Sequence, residues 1–289
     1  VDAVPFQNKD WRVGVYFNIA HNENKITEMP DNYIEENYTF GNGNYAYRRE
    51  EGRPMGSFYG YRYKGVYQNK DATYARDIEG NVMKDISGNA IVMRNGSYTV
   101  APGDAIYEDV NHDGVINQYD IVYLGNSNPR LTGGAGLNVS YKQFKLSAIF
   151  YGRYGQDVVN ATRLNNESMR GIDNQSTAVL RRWRNEGDQT DIPRALYGEG
   201  YNTLGSDRFV EDASYLRLKS LSFTYRLPKK AIQRWGFNNI DVYVTGYNLF
   251  TWTNYTGQDP EVKTENTYAK DTATTPASIQ LVAGFNLSF

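Results

Sequence analysis

Two groups of residues in this sequence have types and spacings that could do chemistry. The first is Asp109-Val110-Asn111-His112-Asp113-Gly114-Val115-Ile116-Asn117-Gln118-Tyr119-Asp120. It follows the calcium-loop spacing, with side-chain oxygens on Asp109, Asn111 and Asp113, the Val115 carbonyl next in order, and Gly114 where the chain must turn sharply. Asp120 stands where such loops usually carry Glu, so the closing arm is shorter. Calcium is therefore the one cofactor the spacing points to, in a structural role, because the segment before the loop contains Pro102 and has no amphipathic helix to move. The same oxygens also suit a turn held by Asx hydrogen bonds without metal, and both readings stay open.

The second group is aromatic. Trp183, Tyr197, Tyr201, Trp252 and Tyr255 lie in or beside polar segments and are expected as ligand contacts, their faces stacking on sugar rings or gripping a peptide. The alternative is that they pack the loops on one another. Catalytic constellations are missing. The chain has 2 His and no Cys, and neither His belongs to an H-E-x-x-H pair. No G-x-S-x-G elbow or phosphate loop occurs. The carboxylates at Asp188, Asp191, Glu199, Asp207, Glu211 and Asp212 read as solvated loop charges. The sequence does not describe an enzyme.

The elements that must position these groups are strands. Trp11, Val13, Val15, Phe17 and Ile19 alternate with polar or small residues, as do Leu137 to Tyr141, Phe144 to Phe150, and Ile279 to Phe289. Period-2 alternation of this kind marks strands with one apolar face. Lys142-Gln143 joins two of them in a tight hairpin. Leu221, Phe223, Tyr225 and Leu227 form another row, out of phase with Leu216 and Leu218, so a bulge is expected near Lys219-Ser220. A further strand runs from Ile240 to Trp252, and Ser57 to Tyr67 is another candidate. A loop helix is expected over Ala178 to Asn185. The segment from His21 to Gly56 has no clear pattern.

Composition narrows the class. The 31 basic and 33 acidic residues of this 289-residue chain leave no basic surplus for nucleic acid. Mean hydropathy is −0.66, and no apolar run approaches the roughly 20 residues of a transmembrane helix. The first five residues have no basic or apolar stretch, so no secretory leader is expected there. Yet 25 Tyr and 27 Gly accompany 14% aromatic content. A hydrophilic average carried on Tyr and Gly fits a β-barrel wall, where only alternate side chains must be apolar. Polar segments 68–130, 157–212 and 254–276 are far longer than the usual loop of about 4–6 residues. They fall on one side of the strands, while 142–143 and 228–237 fall on the other. Aromatics at strand ends (Tyr141, Phe144, Tyr151, Tyr154, Phe250, Trp252, Tyr255) are expected as interfacial girdles.

Several stretches together resemble the SusC/RagA-like TonB-dependent transporters. They are Glu51-Gly52-Arg53-Pro54-Met55-Gly56-Ser57-Phe58-Tyr59-Gly60-Tyr61, the Asp109–Asp120 loop with Leu124-Gly125-Asn126, Val210 to Lys219, Leu227-Pro228-Lys229-Lys230, and Val242 to Phe250. Tyr247 departs from the family, which often has Gln there. The alternating end, Phe285, Leu287 and terminal Phe289, looks like the signal read by barrel-assembly machinery. The resemblance spans nearly the whole chain. It implies an all-β fold, the C-terminal part of a large antiparallel transmembrane β-barrel with long extracellular loops. Residues 1–289 would then be one barrel segment, without the plug domain or N-terminal strands. It further implies residence in the bacterial outer membrane and active import of glycans or oligopeptides. The implied partners are a SusD-like surface lipoprotein, the remainder of the barrel and plug, the TonB complex acting through that plug, and outer-membrane lipids. Two alternatives remain at this stage: a complete small passive porin, closed by pairing the N-terminal strand with Ala277 to Phe289, and a secreted calcium-dependent binding module.

Overall fold

Alternating rows of apolar and polar side chains dictate the main sheet. In the computed structural model, which describes residues 1–29, 45, 49–265 and 268–289, seven strands form one antiparallel sheet in sequence order. They are β1 (Asp2–Gln7), β2 (Trp11–His21), β3 (Leu131–Tyr141), β4 (Phe144–Tyr154), β5 (Tyr215–Arg226), β6 (Asn239–Thr253) and β7 (Gln280–Ser288). The expected strands all appear. β1 is additional: Pro5 cannot donate to a ladder and the register slips between Ala3 and Phe6, which hides its alternation. The side chains of residues 264 and 265, and residues 30–44 and 46–48 of the unpatterned stretch from His21 to Gly56, lie outside the described residues.

Register turns each apolar run into a band across the sheet. Trp11, Tyr141, Phe144, Tyr225, Val242 and Phe285 stand side by side from β2 to β7. One rung further along, the row is Val13, Val139, Leu146, Phe223, Val244 and Ala283. The opposite face carries Arg12, Ser140, Lys145, Thr224, Tyr243 and Gly284 in register. Two glycines on that face are covered by neighbouring rings: Tyr16 fills the place of a Cβ at Gly136, and Tyr243 Oη would sit 2.6 Å from one at Gly284. Such pairing of a bare glycine with an aromatic ring pins register.

The expected bulge is present. Ile149 pairs with Ser220 and Phe150 with Leu218, which leaves Lys219 as the extra residue of β5. On β6, Asn248 and Leu249 fall out of register opposite the same point, and Asn248 has φ of 53°. The bulge changes the phase of β5, so that Leu216 and Leu218 join the apolar face from which Leu221 and Phe223 also project.

The connections are short at one end of the sheet: residues 8–10, Lys142-Gln143, and 227–238, where Pro228 precedes the short helix α1 (Lys229–Ile232). At the other end the described residues of segments 22–130, 155–214 and 254–279 fold into a loop module. Ser57–Gly60 pairs with Val122–Asn126, and Tyr63–Val66 with Ala105–Tyr107. The Ser57 to Tyr67 strand candidate thus belongs to the module and not to the main sheet. Asp157–Asn160 runs parallel to Tyr268–Asp271, which joins the second long segment to the third. The sheet itself is open, with β1 and β7 as its two edges. Closure as a small barrel would pair those edges, and they are not paired.

Residues 75–91 add a feature the sequence reading missed. Ala75 N donates to Ile91 O, Met83 N to Ala75 O, and Ile91 N to Met83 O, closing a ring of three hydrogen bonds. Between these rungs, Asp77-Ile78-Glu79-Gly80-Asn81 and Asp85-Ile86-Ser87-Gly88-Asn89 form near-identical turns. In each, the Asn N–H donates to the Asp carboxylate, and the Gly has positive φ.

The expected helix at Ala178–Asn185 is instead a 3₁₀ turn, Thr177–Arg181. Val179 is buried there, and Arg182 already has an extended conformation, so the apolar periodicity lasts for only one turn.

Candidate functional site: the mouth of the wall

The Asp109 loop is held by its own hydrogen bonds. Asp109 Oδ2 accepts the Gly114 N–H at 2.8 Å, and Asp113 Oδ1 accepts that of Val115 at 2.8 Å. The Val115 carbonyl accepts from the Asn117 side chain at 3.2 Å. Asp120 is fully buried, its oxygens taking the Val110 and Asn117 N–H groups at 2.8 Å each. Burial pushes its carboxyl up, against the pull of those two N–H groups. Asn117 and Asp120 thereby form a capping box around a 3₁₀ turn, Gln118–Asp120. Among the described residues, no three acidic or His side chains converge closely enough to hold a metal ion. The donor set is right in kind for calcium, but its carboxylates are already engaged as acceptors of N–H groups.

The five aromatic candidates separate. Tyr197 is 76% exposed in its loop. Trp252 is also exposed, but on the apolar face of β6, where its ring lies 6.2 Å from that of Phe250. Trp183, Tyr201 and Tyr255 are buried and pack the loops together. Trp183 lies against Gly103, Tyr201 stacks on Tyr98 with centroids 5.2 Å apart, and Tyr255 donates to Asp271 at 2.6 Å. These three rings are interior because the long segments enclose a core of their own. Of the expected girdle, Tyr151 faces the polar side, where its hydroxyl accepts from Arg153 Nε at 3.1 Å. Phe285 and Leu287 project from the apolar face, and the Phe289 ring meets Phe237 with centroids 4.9 Å apart.

Charge fixes the module to the mouth. Arg217, on the polar face of β5, has a nearly buried side chain that binds Asp259, Glu261 at 2.8 Å and the Thr251 hydroxyl at 2.8 Å. Lys219, the bulge residue, reaches the same Glu261 at 2.9 Å. The bulge therefore sets a second cation beside Arg217, and together they clamp Asp259-Pro260-Glu261 against the wall. Asp259 Oδ2 also accepts the Ala277 N–H at 3.0 Å. Burial pushes the Asp259 carboxyl up, but its hydrogen bonds from Ala277, Glu261 and Arg217 outweigh this and hold it below the usual carboxylate range.

Two further networks join the long segments. Buried Asp104 accepts from Arg194 at 2.7 Å, Tyr98 at 2.7 Å and Asn202 at 3.2 Å. Glu211 accepts from Arg163 at 3.2 Å, Asn160 at 3.1 Å and the Thr256 N–H at 2.9 Å. Sequence reading missed these partners because Asp104 and Arg194, or Arg217 and Asp259, lie far apart along the chain with no motif linking them. Taken together the arrangement is a wall with an apolar outer face, a polar inner face and a braced cap of loops.

No family model matches the chain. TonB-dependent receptor P3 of Formosa agariphila is 32% identical over 266 residues, covering 90% of this chain and 24% of that protein. TonB-dependent receptor SusC of Bacteroides thetaiotaomicron is 26% identical over 298 residues, covering the whole chain and 26% of SusC. Among solved structures, the RagAB peptide transporter superposes with a TM-score of 0.73 at 26% identity, over all of this chain and 28% of the matched one. The chain thus spans about a quarter of the length of the relatives it matches.

Proposed function

Because this chain belongs with the SusC/RagA-like TonB-dependent receptors of the outer membrane, we propose that it forms the C-terminal wall, mouth and docking loops of an active importer. The observation that carries this reading is the open seven-stranded sheet, apolar outside and polar inside, with all long loops at one end. Outer-membrane barrels place short turns on the periplasmic side and long loops outside. Lipid does not tolerate unpaired backbone at the two edges, so β1 and β7 pair with further strands of a larger barrel. Its cargo is glycans or oligopeptides too large for porins. A SusD-like lipoprotein covers the braced loops, a plug fills the lumen, and the TonB complex drives transport through that plug.

Uptake of fluorescent oligopeptides and glycans, compared between cells with and without the full receptor, tests the proposal. TonB-dependent accumulation that vanishes with the receptor, together with co-purification of a surface lipoprotein, is expected. TonB-independent conductance would sink it. Tyr197 is proposed as a ligand contact at the mouth, since it is the one loop candidate left exposed. A structural calcium ion in the Asp109 loop is a separate proposal supported by spacing; unchanged protease sensitivity of that loop on chelation would remove it.

A further inference from the structure

The polar face of the wall carries a surplus of unpaired cations, and one of them stands beside open space at the loop end. Two rows cross that face in register from β2 to β6. The first reads Asn18, Gly134, Tyr151, Arg217 and Thr251; the next, toward the loops, reads Ala20, Thr132, Arg153, Tyr215 and Thr253. On the β5 side these rows are filled. Arg217 and Lys219 hold Asp259 and Glu261, the Tyr215 ring lies 6.3 Å from that of Tyr151, and the Lys219 ammonium 5.7 Å from the Tyr151 ring centre. On the β2 side they are low. Gly134 has no side chain, Ala20 and Thr132 are small, and Asn18 lies across Gly134, its Oδ1 accepting the Gly134 N–H at 2.7 Å. Two strands and two rows of small residues leave a shelf about 10 Å wide and about 7 Å along the strands. Tyr151 and Arg153 form its back wall.

Arg153 is half-buried and only partly used. Its Nε donates to the Tyr151 hydroxyl at 3.1 Å, its guanidinium carbon lies 5.9 Å from the Tyr151 ring centre, and it has no ion pair among the described residues. The acids of this end are engaged elsewhere. Glu261 takes Arg217 at 2.8 Å and Lys219 at 2.9 Å, Glu23 sits 3.8 Å from His21, Asp157 accepts the Asn126 N–H at 3.1 Å, and Asp212 that of Ser214 at 2.8 Å. Both Nη groups of Arg153 are thereby left without an acceptor, as the planar fork that takes a carboxylate through two parallel hydrogen bonds. The far end of the same face repeats the sign. Arg12 and Lys145 flank Ser140 in one row, about 10 Å apart. Both are exposed and neither has an ion pair among the described residues. They line a cavity of about 500 Å³ whose one acid is Asp2, while Asp241 accepts from Arg226 at 2.7 Å.

We propose that Tyr151 and Arg153 form a cargo subsite at the mouth for a carboxylate, which Arg153 binds while the Tyr151 ring packs on the carbon skeleton that bears it. The inference rests on the importer reading and deepens it by naming the chemistry of the cargo: an acidic oligopeptide or a uronic-acid glycan is preferred over a neutral one. The shelf occupies the last two rows before the loops, where entering cargo passes first.

The test is isothermal titration calorimetry of the purified full receptor with probes in matched pairs. One pair is a Glu-containing pentapeptide and its Gln, C-terminally amidated counterpart; the other is trigalacturonate and its methyl ester. In one pair the acid should bind about tenfold tighter than its neutral partner, the scale of one charge-assisted contact. The pair that shows the difference identifies the carboxylate as a peptide's or a sugar's. R153Q should erase the preference. R153K, which keeps the charge but not the fork, should reduce it to about threefold and reports on the site if R153Q does not assemble. No preference in either pair, or a preference that survives R153Q, would overturn the proposal. So would an equal loss for acid and neutral probes in R153Q, which would make Arg153 a support for the plug. Heat-modifiable migration on gels reads the barrel assembly of each variant separately. TonB-independent uptake of the bound probes would refute the importer reading instead.

Discussion

In the wall, Leu281, Phe285 and Ile19 are the exposed residues, whereas in the loop module Phe58, Phe209 and Tyr61 are shut away almost completely. The same residue types serve both regions with opposite burial. The module folds against water, so its long segments must enclose their aromatics; Tyr61, Tyr67, Tyr107 and Tyr201 share one core, and Tyr45, Phe58 and Phe209 another. The wall faces hydrocarbon, where an outward apolar side chain is already in its favoured medium and the polar face is the one turned inward. Burial therefore identifies a core only after the surrounding solvent is known.

The contrast can be broken by substitutions of equal chemistry. Phe209→Ala should be the most damaging, costing about 3–5 kcal/mol by the cavity it opens in the module. Pulsed proteolysis of the long segments should report it, with little change in heat-modifiable barrel migration; loss of the barrel instead would show that wall and module fold as one unit. Leu281→Arg comes next. Although that position is 75% exposed, a cation at mid-membrane depth should cost about 2–4 kcal/mol in urea titration of the lipid-inserted receptor.

Acid should act more locally. The Asp259 carboxyl is held below its unfolded value, so its contribution is present above the unfolded pKa of about 3.9 and lost as pH falls through the folded one. Protease cleavage within 254–279 should therefore rise as pH drops below about 4. It should be high already at neutral pH in Asp259→Asn. Smallest of all should be Ile86→Arg. This residue is fully exposed, and Leu281 largely so, but Ile86 stands in water, so a change within about 0.5 kcal/mol is expected. If Ile86→Arg proved as costly as Leu281→Arg, the module's tips would be covered in the receptor.

Legibility followed the same division. The wall strands, their hairpin and the Lys219 bulge were readable because period 2 is a local signal. β1 as a whole was not, because Pro5 interrupts its ladder and its register slips between Ala3 and Phe6. The module was not readable, since its order comes from pairs such as Asp104 with Arg194 and Arg217 with Glu261, whose partners are brought together by topology alone. Trp183 and Tyr255 were expected at a surface because their neighbours in sequence are polar. In space Tyr255 packs with Val158, Ala213, Val262 and Ala269 while its hydroxyl reaches Asp271, and Trp183 lies against Gly103.

The ring at Ala75, Met83 and Ile91 places all its hydrogen bonds at the base and leaves the two Asp-x-x-Gly-Asn turns standing free. Sequence at the tips is thus uncoupled from what holds the unit together. On a bacterial exterior, such tips are what antibodies and phages would meet. Ile78 and Ile86 can drift, or carry an inserted epitope or fluorophore, while the base keeps its geometry, so the unit offers a built-in site for labelling the receptor on living cells.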